Sequence, residues 1–142
     1  MNTRTVIKYL GIISIVSGSM FIPSILCALL FGEYQMVAVF IDSFLATAGI
    51  GLMLWSLCSK KSNRLLHPDS LALVAFSWIL MAGYCAIPYV LSGYLGVIDA
   101  YFESMSGLTT TGSSILVDIE ALPKSLLFWR SFTHLIGGMG VL

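Results

Sequence analysis

Ser70 to Ile98 is 29 residues without a formal charge. Few folds can hold such a run. A helix that crosses the hydrocarbon of a bilayer needs about 20 apolar residues, and a longer uncharged run has no charged face to turn toward water. Other stretches repeat the pattern. Tyr9 to Gly32 is 24 residues without a charge, Gln35 to Ser59 carries only Asp42, and Ser125 to Leu142 carries only Arg130. This spacing predicts three full membrane spans and a fourth that ends with the chain. An isolated strand in lipid leaves its backbone polar groups unpaired, so the expected class is an all-α integral membrane protein. Composition agrees: 58% of the residues are hydrophobic and 10% charged, against about a quarter charged in soluble domains. Seven basic residues balance seven acidic ones. Net charge therefore points to no nucleic acid and no acidic partner, and the expected surrounding is the lipid bilayer.

The placement of the charges sets a topology. Arg4 and Lys8 precede the first span, and Lys60, Lys61 and Arg64 follow the second. The positive-inside rule puts both clusters, and the N-terminus, on the cytoplasmic side. The first two spans then form a hairpin whose turn, Glu33-Tyr34-Gln35, faces outward. Span three runs outward from near Ser70 to near Gly93, and span four descends from near Lys124. The first run is longer than the apolar core of a signal peptide, and no clear Ala-x-Ala site follows it. Cys27, Cys58 and Cys85 are odd in number and widely spaced, which suits small packing residues better than a disulfide framework or a metal site.

Two units follow from this layout: a two-helix hairpin over residues 1–68 and a second unit over 69–142. The polar linker Ser59 to Asp69 divides them, with His67 read as a solvated loop residue and Pro68 in the first turn of span three. Small residues in span one (Gly11, Ser14, Ser17, Gly18, Ser19) and span two (Ala46, Ala48, Gly49, Gly51) predict close helix packing. Pro23 predicts a local kink in span one. Asp42 is expected near the outer headgroups, with a polar cavity as the alternative. Trp55, Trp78, Tyr94 and Trp129 suit the interfacial belt.

Ser104 to Val117 breaks the pattern. Its 14 uncharged residues are too few to span, and they include Gly107-Leu108-Thr109-Thr110-Thr111-Gly112-Ser113-Ser114. A re-entrant segment over about 97–117 explains both the length and the hydroxyls. A short helix from about Val97 to Leu108 would enter from outside, with Asp99 and Glu103 toward its positive end. Its negative end would draw a cation to the residues that follow. Gly107 and Gly112 allow unusual backbone conformations. Carbonyls of Thr110, Thr111, Gly112 and Ser113 could then replace the hydration shell of a cation, as in potassium filters. A polar turn between two helices explains the bare pattern equally well.

The run Asp99-Ala100-Tyr101-Phe102-Glu103-Ser104-Met105-Ser106-Gly107-Leu108-Thr109-Thr110-Thr111-Gly112 resembles the first pore loop of the Trk/Ktr-type potassium transporters. Leu122-Pro123-Lys124, Phe128-Trp129-Arg130 and Gly137-Gly138-Met139-Gly140 resemble the helix that follows it. The hairpin ahead of the pore unit favours the Trk type. The resemblance implies four helix–pore loop–helix units in pseudo-fourfold symmetry, of which this chain holds the first. It implies K+ at Thr110 and Thr111, with Gly112 and Ser113 completing one filter strand and Thr109 and Gly107 supporting it. It also implies the bacterial inner membrane, a cytosolic nucleotide-binding regulatory subunit, a homodimer of full-length subunits, and no cofactor beyond the transported ion. A chain with one strand of four is expected to be an N-terminal fragment that does not transport alone.

Three further features carry expectations. Arg130, about 9 Å below the start of span four, is expected to pair with Glu103 or Glu120 and brace the pore loop. Gly137 to Gly140 form either a packing face or a flexible point, and packing is favoured. His134 is expected to be a satisfied interior histidine. Two other functions remain open at this stage. One is a homotetrameric channel with one loop per chain, although the Val-Gly-Tyr-Gly core is missing. The other is a membrane hydrolase or transferase using Ser113 or Ser114, for which no Ser-x-x-Lys or Gly-x-Ser-x-Gly arrangement is present.

Overall fold

A computed structural model of the chain describes residues 3–57 and 67–141. It is built from six helices in chain order: α1 (Thr3–Ser19), α2 (Ile22–Leu30), α3 (Tyr34–Leu57), α4 (His67–Leu91), α5 (Val97–Leu108) and α6 (Lys124–Val141). Three stretches are long and apolar enough to cross a membrane: Thr3–Leu30, Tyr34–Leu57 and Asp69–Leu91. The expected fourth, α6, is a helix of 18 residues from Lys124 and is not among them. Cys58, Lys60, Lys61 and Arg64, and most of the linker expected to divide the chain, lie outside the described residues.

The first span is a broken helix rather than a kinked one. Met20 and Phe21 donate to Ser17 and Gly18 through tighter three-residue turns, and α2 restarts with Pro23 in its first turn. Pro23 has no N–H, and its ring excludes the carbonyl four residues back, so α1 cannot run through it. A first-turn position costs the proline nothing. The reversal into α3 lies at Phe31 to Glu33, slightly earlier than expected. Gly32 there adopts a φ of +70° and Glu33 N–H donates to the Ala28 carbonyl. Asp42 is on the exposed side of α3.

The buried face of α3 is a stripe: Met36, Val39, Phe40, Ser43, Thr47 and Gly51. These steps of three and four residues keep one side of the helix against its neighbours. The stripe ends in a backbone crossing with α1. A Cβ on Gly51 would sit 2.9 Å from the Gly11 carbonyl, and one on Gly11 would sit 2.8 Å from the Trp55 amide. Higher up, Ser14 and Tyr84 share a buried 2.8 Å hydrogen bond that ties α1 to α4.

Residues of α2, α3, α4, α5 and α6 share one core, and Trp129 is buried within it. The interfacial position expected for Trp129 is not what the structure has: the side chain is 1% exposed. Phe21, the N-cap of α2, lies against it at 4.7 Å between ring centroids, and Phe40 of α3 meets it edge-on at 6.1 Å. Its indole N–H donates 3.1 Å to the Cys85 carbonyl of α4. A buried indole needs such a partner. The carbonyl lies within one turn of Pro88, which interrupts the hydrogen-bond ladder of α4. Sequence pattern placed Trp129 near a span end, and the partners that bury it come from three distant elements.

Overpacking a core costs about 1–3 kcal/mol. Gly51→Ala should therefore lower the thermal stability of the purified protein in detergent. Gly49→Ala, with nothing within 4 Å of its added methyl, should leave it unchanged or slightly higher.

Candidate functional site

The helix α5 has the ends expected of it, Val97 and Leu108. Gly96 precedes it in extended conformation, and Asp99 lies in the first turn, where a carboxylate complements the helix dipole. The path around it measures a descent and a return. Tyr94, before α5, and Leu122 and Pro123, after the loop, line one cavity together with Gly32 to Met36. Between those points the chain reaches Leu108, whose carbonyl oxygen occupies the place a Cβ on Gly137 would take. Gly137 is thirteen residues into α6, about 20 Å along the helix axis. The segment thus enters and leaves at one end of the bundle and turns deep beside α6.

At the turn α5 is closed by a Schellman motif. Thr110 N–H donates 3.0 Å to the Gly107 carbonyl, and Thr111 N–H donates 3.0 Å to the Ser106 carbonyl. Thr110 has a φ of +55° and is the single non-glycine residue with positive φ among the described residues. This position ordinarily falls to glycine or asparagine. A β-branched residue there is strained, by about 1–2 kcal/mol. Thr109 supports the cap: its hydroxyl donates 2.8 Å to the Met105 carbonyl and lies 2.8 Å from the Thr111 hydroxyl. Gly112 follows with a φ of +78° and open space where a Cβ would point. Thr109 to Ser113 are all exposed on this chain. They form a strand with its own face free. Ser113 differs in one respect, because its carbonyl accepts the Ser106 hydroxyl from α5.

Gly107 is needed for a reason other than the one the sequence suggested. It is helical, without a positive φ, and a Cβ there would lie 2.6 Å from the Thr133 hydroxyl of α6. Gly107 against Thr133 and Gly137 against Leu108 bring the end of α5 onto α6 at backbone distance. Gly137 is therefore a packing residue. Gly138 passes 3.7 Å from the Thr110 methyl, counted from where its own Cβ would be. His134 is half-buried in the same seam.

Glu103 is not a first-turn residue complementing the dipole. It is 3% exposed and lies at the junction of three segments. Arg130 Nε of α6 donates to it at 2.7 Å. Ser114 Oγ donates to its two oxygens at 3.1 and 3.0 Å, and Ile115 N–H donates at 3.1 Å. Ser114 Oγ in turn accepts the Leu116 amide. One carboxylate so binds the short helix, the segment leaving the threonine run and α6. Glu120, the other partner considered for Arg130, is exposed. The Ser114 hydroxyl is committed to a carboxylate already matched by a guanidinium.

Residues 35–142 match the TrkH family, described as a cation transport protein. The chain belongs to the TrkH cation transport family. Members of this family are transporters, not enzymes. The chain is 35% identical over 145 residues to the Trk system potassium uptake protein TrkH of Escherichia coli (strain K12), covering 100% of this chain and 30% of that protein. It is 32% identical over 147 residues to the Trk system potassium uptake protein TrkG of the same organism, again with 100% and 30% coverage. The crystal structure of the potassium transporter TrkH from Vibrio parahaemolyticus superposes with a TM-score of 0.91 at 30% identity, covering 99% of this chain and 30% of that one. The chain is a multi-pass membrane protein of the TrkH fold, and it spans about 30% of the length of these relatives.

Two residues at the site carried no signal strong enough to be read in advance. Ser114 was one hydroxyl among several. Glu33 was part of a turn. Its carboxylate accepts the Lys124 amide at 2.8 Å, the Ser125 amide at 3.1 Å and the Ser125 hydroxyl, which caps the N-terminus of α6 from 91 residues away. Lys124 Nζ meanwhile lies 4.7 Å over the Phe31 ring.

Removing one partner of a buried ion pair costs about 3–5 kcal/mol. Glu103→Gln and Arg130→Gln should each destabilise the protein on that scale. The double variant should lose clearly less than the sum, as a double-mutant cycle in detergent would read. Glu33 gives a pH dependence. Burial alone would raise its pKa, but the Ser125 hydroxyl and amide, the Lys124 amide and the Lys124 charge outweigh it and hold the pKa below the ordinary value. A lowered folded-state pKa contributes stability above the unfolded value and loses it as pH falls through the folded one. The melting-temperature difference between the protein and its Glu33→Gln variant should be full at pH 7 and vanish well below about pH 4.

Proposed function

We propose that the chain supplies the first filter strand of a Trk-type potassium uptake protein of the bacterial inner membrane. The observation that carries this reading is the Schellman-capped end of α5. It delivers Thr110, Thr111 and Gly112 as an exposed strand deep beside α6. Conduction needs a row of carbonyls that can replace a hydration shell, and a short helix with its negative end at that row attracts a cation. Thr110 and Thr111 are the K+-coordinating positions, and Gly112 supplies the next carbonyl. Ser113 contributes with the lone pair that Ser106 leaves free. Thr109, Gly107, Asp99, Glu103 and Arg130 hold the strand in place. A quarter of a ring cannot select an ion, so the remaining strands come from further helix–pore loop–helix units, as the partial coverage of the relatives supports.

The rest of the reading follows from the family. The unit of residues 69–142, with its re-entrant segment over about 97–117, is the repeating element, and residues 1–68 are a preamble that braces it. The N-terminus is cytoplasmic. A cytosolic nucleotide-binding subunit regulates the pore, and the full-length subunits pair as a homodimer. Inward movement of K+ draws on the membrane potential, about 2.3 kcal/mol per charge per 100 mV.

Gly112→Ser in the full-length protein tests the assignment. A side chain at a φ of +78° should displace the strand and reduce the preference for potassium over sodium in rubidium or potassium uptake assays. Unchanged discrimination at normal expression would remove Gly112 from the filter.

A further inference from the structure

Hydroxyls on these helices have a default use. Ser14, Ser17, Ser43, Thr47 and Ser131 each donate to the carbonyl four residues back on their own helix. Such a bond satisfies a polar group in an apolar setting without any partner outside the helix. Ser106 of α5 departs from this use. It is buried, and its hydroxyl donates seven residues forward, to the Ser113 carbonyl. The Ser106 carbonyl also accepts the Thr111 N–H at 3.0 Å. One residue thus ties the strand at two points, on either side of Gly112.

Gly112 is the reason the second tie matters. It has a φ of +78° and nothing within 4 Å of where a Cβ would point. A glycine in open space leaves the direction of the following peptide unset. A groove of about 230 Å³ between α5 and the strand, lined by Phe102, Met105, Ser106, Thr109, Thr111 and Ser113, leaves room for that peptide to turn. Gly112 and Ser113 make no other hydrogen bond among the described residues. The next restraint comes only at Ser114, on Glu103.

We propose that Ser106 is a positioning residue for potassium. Its hydroxyl aims the Ser113 carbonyl and so sets the ion site at the end of the strand that leads back out of the bundle. This inference rests on the filter reading of Thr110 to Ser113. A carbonyl oxygen has two lone pairs. One takes the Ser106 proton, which fixes the direction of the oxygen, and the other is left for the ion. Selection depends on the number and field strength of the coordinating carbonyls, and an oxygen free to turn adds little to either. Without the hydroxyl, Gly112 and Ser113 lose their single restraint and the site spreads over several geometries.

Rubidium and potassium uptake by the full-length protein tests this role. Ser106→Ala should raise KM for potassium about three- to tenfold, the net worth of one neutral hydrogen bond. The maximal rate should be largely kept, and the preference over sodium should fall. Ser106→Cys is close in size but carries a weak donor, and it should behave like Ser106→Ala. Ser106→Thr keeps the hydroxyl and should behave like the unsubstituted protein. A residue that only packs would give another pattern, with KM unmoved and cysteine as good as serine. The proposal is overturned if, at normal membrane expression, Ser106→Ala leaves both KM and discrimination unchanged. It is also overturned if the Cys and Thr variants behave alike, a comparison that stands even where Ser106→Ala does not reach the membrane. Gly112→Ser separates this role from the filter assignment. If Gly112→Ser alters selectivity while the Ser106 variants do not, only the role of Ser106 falls. If neither does, the filter reading falls with it.

Discussion

A carboxylate buried among apolar helices is tolerated only when its charge and lone pairs are matched. Glu103 meets that condition with donors from two other segments: Arg130 Nε from α6, and Ser114 Oγ and Ile115 N–H from the chain leaving the threonine run. Neither charge would be stable at this depth without the other. The pair therefore fixes the register of α5 against α6, and the rest of the seam follows from that register. Gly107 falls opposite Thr133, and Gly137 falls opposite Leu108. At Gly137 the two backbones meet directly, and at Gly107 the Thr133 side chain packs onto the α5 backbone. The strand is held at both ends, by the helix cap at Thr110 and by the Glu103 junction just beyond Ser113. Between those anchors it is exposed on this chain.

This arrangement separates holding from binding. The hydroxyls and amides that brace the loop point back to α5 and to each other, from Ser106 to the Ser113 carbonyl and from Thr109 to Thr111. Apart from the Ser113 carbonyl, which accepts the Ser106 hydroxyl, a loop restrained this way keeps its shape without drawing on the groups that face outward. The strained φ of Thr110 fits the same division. Backbone strain persists where surrounding structure over-determines it, and here the cap, Gly138 and the Thr109 hydrogen bonds surround it.

Much of this was legible in the sequence because membranes simplify the problem. Uncharged runs gave α3 and α4 within a few residues, and the short run from Ser104 to Val117 pointed to a short helix whose expected bounds, about Val97 to Leu108, are those of α5. Length in lipid admits few alternatives. Local rules worked for Gly112 and for Gly11 and Gly51, whereas Pro23 ends a helix rather than kinking it and Gly49 is exposed with open space around it. Long-range partners were harder to foresee. Glu103 read as a residue of a helix's positive end and as one of two candidate partners for Arg130, but its bonds to Ser114 and Ile115, 11 and 12 residues on, were not foreseen. Trp129 read as interfacial because nothing nearby in sequence reveals Phe21, Phe40 and the Cys85 carbonyl around it. Gly107 was rightly singled out for the wrong cause, since a glycine that gives room and a glycine that bends look alike in a sequence. Thr110 gave no warning of its positive φ, as threonine is a rare choice there.

Glu33 gives the hairpin a place in the order of assembly. The first four amides of a helix have no partners within it, and in α6 two of them depend on a carboxylate made 91 and 92 residues earlier. During synthesis that acceptor emerges from the ribosome long before Lys124 and Ser125. The start of α6 thus meets an acceptor that was synthesised well before it.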